Sequence, residues 1–566
     1  MLFQNLLSYL SFPALPRNGD VVSTDGVKQI AIIGAGAAGS SAAYHIQKYA
    51  NESGIALNVT IFERTDHIGG RTLTVNVHDD PAEAIELGAS IFVDVNYILS
   101  NATRDFGLGV KKPGGEGDGE GVLGIWDGDA FVYTQDSRSW NWLNLAKLFW
   151  KYGTAPYYTR KLVHDTLAVF LKLYDAPFFP FRSLSERAIE LDLVKMTGVT
   201  GKQFLEANKL DGAFAHDIIQ ASTRVNYASN LDFIHGLGAM VAMSPEGAKS
   251  IEGGNWQIFA NMLKASGADV HLNTAVTNIA LGSDNKYKLT TSTSRKTHPV
   301  AFDDVIIATP FQYANISTSS TLLDTPIDEI PYATLHVTLF SSPHKFSPTF
   351  FKLSPGSEVP ASVLTTLAAD EAGQSGSGKA GFYSATLQRV VINPRTRAPE
   401  YVYKIFSPEA VTASFLSELL GVEVPETITP ATSPEDNDNE TSPADPVSWY
   451  HATVFHPYPQ KQPRVTFQDP ILRDGLYYTS GIESFISTME TSALMGMNVA
   501  RLIVDSYATL NSNSTSEQVA ETVPQAPEPE PEAEPKVEEQ ATSIPLVQQS
   551  EEVASSDEFV ETVEEL

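Results

Sequence analysis

The segment IAIIGAGAAGSSAAY (residues 30–44) carries an apolar, β-branched run into a small-residue run through three closely spaced glycines. The order predicts a strand, a tight turn and a helix. In that geometry Gly34 permits the turn, Gly36 lets the backbone approach a pyrophosphate, and Gly39 lets helix and strand pack closely. The sequence therefore predicts an α/β fold with a Rossmann-like nucleotide-binding domain.

The residues around these glycines extend the predicted nucleotide site. Ala37 and Ala38 open the helix, whose unpaired N–H groups and partial positive charge favour phosphates. A second apolar strand, LNVTIFE, ends in Glu63. A carboxylate there accepts hydrogen bonds from ribose hydroxyls and repels a 2′-phosphate, so NADP is disfavoured.

The same glycine spacing occurs twice more, in GGEGDGEGVLG (114–124) and DEAGQSGSGKAG (370–381). Neither copy follows an apolar strand, so both are predicted to be flexible loops. The context of a glycine pattern, rather than the pattern alone, indicates a nucleotide site.

A second glycine turn follows the ribose carboxylate, in the sequence ERTDHIGGR that ends at Arg71. It resembles the glycine-glycine-arginine signature of the FAD-dependent amine oxidase and phytoene desaturase superfamily, where the segment lies beside the diphosphate and the flavin end. The resemblance assigns Arg64, Gly70 and Arg71 to an FAD site. A further stretch resembles the acidic-glycine strand near the flavin and adds Gly88, Ala89 and Ser90.

Later segments are similar to the same superfamily. Residues 251–279 resemble a superfamily segment whose strand passes the adenine, which would place Val276 near the adenine here. Residues 305–310 resemble the strand that returns to the nucleotide domain. Gly481 and Glu483 stand at the turn before a long helix directed at the flavin. Many relatives have Gly-Asp at this turn, whereas this chain has Gly-Ile-Glu. No strand-bound fingerprint remains for a nicotinamide, so the resemblance implies an oxidase that is reoxidised by oxygen.

Within the superfamily the chain resembles the prenylcysteine oxidase branch, also called prenylcysteine or farnesylcysteine lyase, over roughly residues 28–506. The motifs that carry this resemblance are TRVNY (223–227), EGGN (252–255), WY (449–450), DGLYY (474–478) and the Gly-Ile-Glu turn followed by MET-SA. The branch implies a thioether oxidase that converts prenylcysteine, oxygen and water into a prenyl aldehyde, cysteine and hydrogen peroxide.

Arg224 and Tyr227 lie in the first of these motifs and are the candidate catalytic residues, as a carboxylate anchor and a hydrogen-bond donor; a purely structural role is the alternative. The reaction needs little acid-base help, because sulfur and the allylic double bond stabilise the cation. Two other functions stay open, an FAD oxidase of amines or of another prenylated or polyene metabolite, and a flavoprotein retained for binding.

Aromatic residues are dense between Trp126 and Phe181, as a tunnel for an isoprenoid requires. Many lie at helical spacing, so helix packing explains any one of them equally well. The segment SWNWLNLAKLFWKYG (139–153) combines Trp with Lys, as helices at a membrane interface do. Peripheral membrane contact is therefore a further expectation.

The predicted nucleotide domain is discontinuous, and mixed sheet and helices form the substrate domain. The segments expected are 27–110, 240–312 and 470–507 for FAD, 111–239 and 313–469 for the substrate, a disordered insert at 426–446, and a disordered acidic tail at 508–566. The tail has fifteen Asp or Glu and one Lys. Low hydrophobicity with high charge predicts its disorder.

Charge and composition exclude several classes of function. The net charge of −30 argues against nucleic acid as a partner, which would require a basic surface. Cysteine is absent, so thiolate metal sites and disulfides are excluded. No metal site is expected, because His235, His336, His451 and His456 have no ligand spacing.

The first 26 residues leave the compartment open. Met1 to Leu15 is apolar enough for a signal peptide but lacks a basic start and a clear cleavage site, so a frayed terminus is the alternative. Glycosylation sequons occur at Asn51, Asn58, Asn101, Asn315, Asn439 and Asn513. The family implies a lysosome, vacuole or secretory location; the cytoplasm is the alternative. Nothing in the sequence indicates an oligomeric state.

Overall fold

The structure is a computed structural model that describes most of the chain. The described ranges are 27–112, 121–136, 141–244, 246–293, 297–319, 321–323, 326–426 and 445–520. Among them, no helix combines the length and apolar character needed to cross a bilayer.

A six-stranded sheet forms the first layer of the fold, and we call it the first sheet. Its strands in spatial order are Ile471–Arg473, Leu476–Tyr478, Asp304–Ile307, Lys28–Ile33 (β1), Leu57–Phe62 (β2) and Asp269–His271. Five are parallel, and Ile471–Arg473 is an antiparallel edge strand. The central strands are almost wholly apolar, as expected for a parallel sheet covered on both faces.

The helix Ala37–Ser53 (α1) follows β1 and packs against the C-terminal helix Met489–Ala520. A Cβ added to Gly496 would lie 2.1 Å from the Ala38 carbonyl oxygen, so the two helix backbones are in close contact. The Ser41 hydroxyl donates to the Ala493 carbonyl at 2.7 Å. The predicted α/β fold with a Rossmann-like domain is therefore confirmed.

A seven-stranded mixed sheet, the second sheet, forms the other major layer. Its strands in spatial order are Trp449–Phe455, Leu335–Ser342, Pro399–Ser407, Ser384–Ile392, Ser362–Thr365, Val122–Trp126 and Phe131–Asp136. Three smaller sheets complete the described strands. In one, Val276–Leu281 lies between Tyr287–Thr291 and Ser317–Thr318; the other two pair Thr74–Asn76 with Ala84–Glu86 and Val110–Lys111 with Ser250–Ile251.

Helices connect and cover the two sheets. The remaining α-helices are Tyr97–Asp105, Asn141–Tyr152, Ala155–Phe170, Leu184–Glu190, Val194–Thr197, Gly201–Ala207, Gln220–Tyr227, Gly236–Ala242, Trp256–Ser266 and Ala413–Leu420. A π-helical turn, Ala215–Ile219, precedes Gln220–Tyr227. The helix Ala413–Leu420 closes an aromatic core over the second sheet, with Phe340 and Phe382 fully buried there.

The strands follow the predicted segments, with two corrections. All strands of the first sheet fall within 27–110, 240–312 and 470–507. Gly124, however, lies inside the strand Val122–Trp126 rather than in a loop. The C-terminal helix continues to Ala520, past the predicted start of the tail at 508, because no proline occurs before Pro524. Residues 521–566 and most of the insert, 427–444, lie outside the described ranges.

Glu490, from the branch motif, closes a contact between two helices far apart in sequence. Its carboxylate accepts from the backbone N–H groups of Ile98 and Leu99 at 2.9 and 3.1 Å, in the first turn of Tyr97–Asp105. Burial raises the pKa of Glu490 to about 7, although these two hydrogen bonds oppose the shift. Glu490 therefore resists ionisation in the folded protein.

This raised pKa predicts a pH dependence of stability. The stabilisation is complete below the ordinary pKa of Glu490 and is lost as the pH rises through about 7. We expect the free energy of unfolding to fall by about 3 kcal/mol between about pH 5 and about pH 8 on account of Glu490. In Glu490→Gln, denaturant titrations should show a smaller fall over this range. An unchanged slope would refute the assignment.

Candidate functional site

The three fingerprint glycines differ in what surrounds them. Gly34 has a φ of +111°, and a Cβ there would lie 2.8 Å from the Ala308 carbonyl oxygen. At Gly39 it would lie 2.0 Å from the Gly34 carbonyl oxygen. Gly36 has an ordinary φ of −81°, and its nearest contacts would be 3.8 Å away or more. Two glycines are thus needed by the fold, whereas a Cβ at Gly36 would make only ordinary van der Waals contacts with the second glycine turn, at Gly69 and Gly70.

Helix α1 begins directly after Gly36, which is its N-cap residue. No side chain in the described chain caps Gly36, and the first turn contains no acidic residue. The leading N–H groups, at Ala37 and Ala38, are therefore available to an anion, and the helix dipole favours one. This geometry fits the diphosphate of a dinucleotide.

The Glu63 carboxylate faces the glycine loop, and Glu63 is only 6% exposed to solvent. One oxygen, Oε2, accepts from the Ala35 N–H at 2.9 Å, and Oε1 accepts from the N–H and hydroxyl of Thr65. Since a carboxylate oxygen accepts two hydrogen bonds, Oε2 keeps one acceptor position for a ribose hydroxyl.

The second glycine turn lies directly beside the first. The Gly69 N–H donates to the Ala35 carbonyl at 3.0 Å, and Gly36 and Gly69 form a parallel bridge. Gly70 has a φ of +60°, and a Cβ there would lie 3.2 Å from the Gly36 Cα. The two turns, which the sequence places more than thirty residues apart, thus form one backbone cradle.

Arg71 and Glu483 meet across the site in an ion pair. Two guanidinium nitrogens of Arg71 donate to the two carboxylate oxygens at 2.7 and 2.8 Å, and a third hydrogen bond reaches the Pro457 carbonyl. The Tyr332 hydroxyl donates to Glu483 at 3.1 Å. Burial lowers the pKa of Arg71, but Glu483 outweighs it and the net shift is upward. The carboxylate of Glu483 therefore serves mainly to hold Arg71.

The segment from Glu86 to Ser90 lies next to Arg71, because a Cβ on Gly88 would be 4.0 Å from the Arg71 carbonyl oxygen. Asn255, from the EGGN motif, fixes this segment: its N–H donates to Glu86 and its side-chain amide to the Ala89 carbonyl. Ala89 has a φ of +51°. The motif thus has a structural explanation in this chain.

Lys404 lies on the second sheet and reaches the segment from Glu86 to Ser90. No sequence motif predicted a role for it. Its ammonium donates to the Ser90 hydroxyl at 2.9 Å and to the Glu86 carbonyl at 3.1 Å. Burial lowers the pKa of Lys404 to about 8, against the opposing charge of Glu86. Burial raises the pKa of Glu86 to about 7. The pair places a titratable cation between the second sheet and the segment beside Arg71.

Three other predicted cofactor residues have contacts within the protein. Arg64 is exposed and donates to the Tyr313 carbonyl at 2.9 Å. Val276 is buried in an apolar cluster at the ends of β1 and β2. Gly481 has no room for a side chain, because a Cβ would lie 2.4 Å from the Gln468 carbonyl oxygen. Their cofactor roles stay predictions.

Arg224 is fully buried, and its donors are taken up by the protein. The guanidinium donates to Thr365 and Asn230 and to the carbonyls of Gly376 and Ser377. These bonds join the helix Gln220–Tyr227 to the second sheet and to the loop around residue 376. They support the structural alternative, and a role as carboxylate anchor is left as a prediction without support in these contacts.

Tyr227 lies on the opposite side of its helix from solvent and packs against Tyr458, with ring centroids 5.5 Å apart. The buried amine of Lys461 lies over the Tyr227 ring. The predicted active-site tyrosine therefore adjoins a cation that no motif indicated.

The aromatic region divides into two groups. Phe170 and Phe181 are buried in the core beside Phe485 and the C-terminal helix. Trp150, by contrast, is 94% exposed, with Tyr158 also exposed. Helix packing explains the first group, whereas the second is open to a partner. Trp140 lies outside the described residues.

The chain is similar to known families and proteins. A family model described as prenylcysteine lyase matches residues 135–518, and one described as an NAD(P)-binding Rossmann-like domain matches residues 32–106. The chain is 29% identical to farnesylcysteine lyase of Arabidopsis thaliana, over 91% of this chain and 96% of that protein. It is 27% identical to prenylcysteine oxidase 1 of Homo sapiens, over 84% of this chain and 88% of that protein.

Solved structures share the fold at low identity. A putrescine oxidase triple mutant superposes with a TM-score of 0.51 and 15% identity, covering 84% of this chain and 99% of that one. A fatty acid isomerase from P. acnes superposes with a TM-score of 0.50 and 14% identity, over 85% and 99%. Since one family model covers more than half of the chain, this protein belongs to the prenylcysteine lyase family.

Proposed function

We propose that this protein is an FAD-dependent thioether oxidase that cleaves prenylcysteine. One prenylcysteine, one oxygen and one water yield one prenyl aldehyde, one cysteine and one hydrogen peroxide. The observation that carries the proposal is the double glycine cradle, without a side chain at Gly36 and flanked by Glu63 and Arg71, in a chain of the prenylcysteine lyase family.

The residues that would hold FAD come from both glycine turns. Backbone N–H groups at the start of α1 suit the diphosphate, and the spare acceptor of Glu63 suits the adenosine ribose. When bound, FAD accepts a hydride from the substrate carbon attached to sulfur and delivers the electrons to molecular oxygen. The Arg71–Glu483 pair holds the second turn in place.

The chain's remaining task is alignment rather than strong acid-base catalysis. The substrate's sulfur stabilises the positive charge that forms on the neighbouring carbon, so no strong general base is required. Lys404, on the second sheet, donates a hydrogen bond to Ser90 in the segment beside Arg71, and the proposal aligns the substrate next to this contact.

Product stoichiometry tests the proposed reaction. Purified protein, supplied with farnesylcysteine in air, should form aldehyde, cysteine and peroxide in equal amounts. The controls are an S-alkyl cysteine without an allylic double bond and a panel of primary amines. Oxidation of the amines but not of farnesylcysteine would replace this proposal with the amine oxidase alternative.

Gly36→Val tests the cofactor assignment. The backbone at Gly36 has a φ that any residue adopts, and the nearest contacts of a Cβ are 3.8 Å away, so the protein should fold. The larger side chain should block the diphosphate and remove nearly all bound flavin. Flavin per polypeptide, from absorbance after acid release, and the thermal midpoint of the flavin-free protein are the measurements. A folded variant that keeps its flavin would contradict the assignment.

A further inference from the structure

The side chain of Lys461 is buried and has no hydrogen-bond partner in the described chain. The residue is 1% exposed, and its Nζ is a buried polar atom without a partner. It lies 3.7 Å from the centroid of the Tyr227 ring and 5.0 Å from that of Tyr458. These contacts supply no hydrogen-bond acceptor.

Such a position is costly for an ammonium group. Removing one from water costs several kcal/mol, roughly, after relaxation, unless an anion compensates it. A desolvated cation–π contact offsets only about 2 kcal/mol of that cost. Burial lowers the pKa of Lys461 well below its usual value, with Glu483 opposing the shift. The protein on its own thus leaves the site electrostatically incomplete.

Among the described residues, no neighbouring group forms a hydrogen bond with the Lys461 Nζ. Both oxygens of Glu483 already accept hydrogen bonds from Arg71, and one also accepts from Tyr332. His235 adjoins Lys461, since the His235 backbone N–H donates to the Lys461 carbonyl at 2.7 Å. Burial lowers the pKa of His235 to about 3, so its ring is neutral and offers no negative charge.

We propose that Lys461 binds the α-carboxylate of the amino acid part of the substrate, with the rings of Tyr227 and Tyr458 forming the wall of that subsite. This inference rests on the proposed function and adds the residue that selects the free amino acid end. The phosphates of a dinucleotide are not the anion, because their cradle is at the start of α1. In this proposal Lys461 has the role of carboxylate anchor, which the sequence predicted for Arg224.

Ligand binding tests this assignment apart from catalysis. The probes are S-farnesylcysteine sulfone and the sulfone of S-farnesylcysteamine, which lacks the carboxylate. A sulfone sulfur has no lone pair to stabilise the cation, so neither probe reacts. Calorimetry should show the carboxylate probe binding at least tenfold more tightly to flavin-loaded wild type. Lys461→Met should reduce that ratio to near one.

A matched control is Lys345→Met. Lys345 also lies over a tyrosine ring, that of Tyr401 at 5.4 Å, but it is exposed on the surface. This variant should keep the wild-type ratio. A ratio near one in wild type, a ratio retained in Lys461→Met, or its loss in the control would each overturn the inference.

Stability and turnover separate the remaining explanations. Because Met replaces a buried amine without a hydrogen-bond partner in the described chain, the free energy of unfolding of Lys461→Met should equal or exceed that of wild type; a clear loss would indicate a structural lysine. Its KM for farnesylcysteine should rise at least tenfold while kcat changes little. If wild type forms aldehyde yet binds both probes equally, only the Lys461 inference fails. If wild type neither binds the probes nor oxidises farnesylcysteine, the proposed function fails too.

Discussion

Gly39→Ala is expected to prevent the first domain from folding stably. The added methyl group would lie 2.0 Å from the Gly34 carbonyl oxygen and 3.2 Å from a methyl of Ile32. Neither a backbone carbonyl in the turn nor a side chain of the central strand can move aside without displacing α1. Overpacking typically costs about 1–3 kcal/mol, and a clash with backbone exceeds that range. Denaturant unfolding, or the yield of soluble protein, measures the loss.

Gly212→Ala is the control for this variant. No heavy atom lies within 4 Å of a Cβ at Gly212, which is exposed. Its free energy of unfolding should stay within about 0.5 kcal/mol of wild type, as for most surface substitutions. If Gly39→Ala were equally harmless, α1 would not pack against the glycine turn as described.

Arg71→Met is expected to give the second large effect. It removes the cation from Glu483, whose side chain is only 3% exposed, and leaves that carboxylate with the Tyr332 hydroxyl. Breaking a buried pair costs about 3–5 kcal/mol, and the lower end applies here, because the Arg71 side chain is 36% exposed. The free energy of unfolding should fall by about 3 kcal/mol, and flavin should be retained less well.

Two further variants test whether the Arg71–Glu483 ion pair causes that loss of stability. Arg71→Lys keeps the charge but loses the paired geometry, so it should restore part of the stability. The double variant Arg71→Met with Glu483→Gln removes both charges and should be more stable than Arg71→Met alone. A double variant that is less stable than either single variant would show that the charges do not interact.

The local part of the site could be predicted from the sequence. Gly34, Gly36 and Gly39 lie within six residues; the turn requires Gly34 and Gly39, and Gly36 leaves the helix start without a side chain. Glu63 follows from the next strand, because parallel strands bring their carboxyl ends to one edge. The resemblance to a superfamily then located the second glycine turn, and the structure places it against the first.

The long-range part could not be predicted in the same way. Arg71 meets Glu483 across 412 residues, and no periodicity in the sequence encodes that pairing. Lys404 and Lys461 belong to no motif, and a buried lysine cannot be told from a surface lysine until the fold is known. Arg224 was singled out by its motif, yet it donates to backbone carbonyls and to the side chains of Thr365 and Asn230. The compartment and the membrane contact stay predictions.

The central claim is that the double glycine cradle holds a flavin that prenylcysteine reduces. Mixing the purified holoenzyme with one equivalent of farnesylcysteine in the absence of oxygen tests it in a single turnover. The account predicts that the visible flavin absorbance bleaches, with one aldehyde per flavin, and returns when oxygen is admitted. A colourless protein, or a flavin band that farnesylcysteine leaves unchanged, would contradict it.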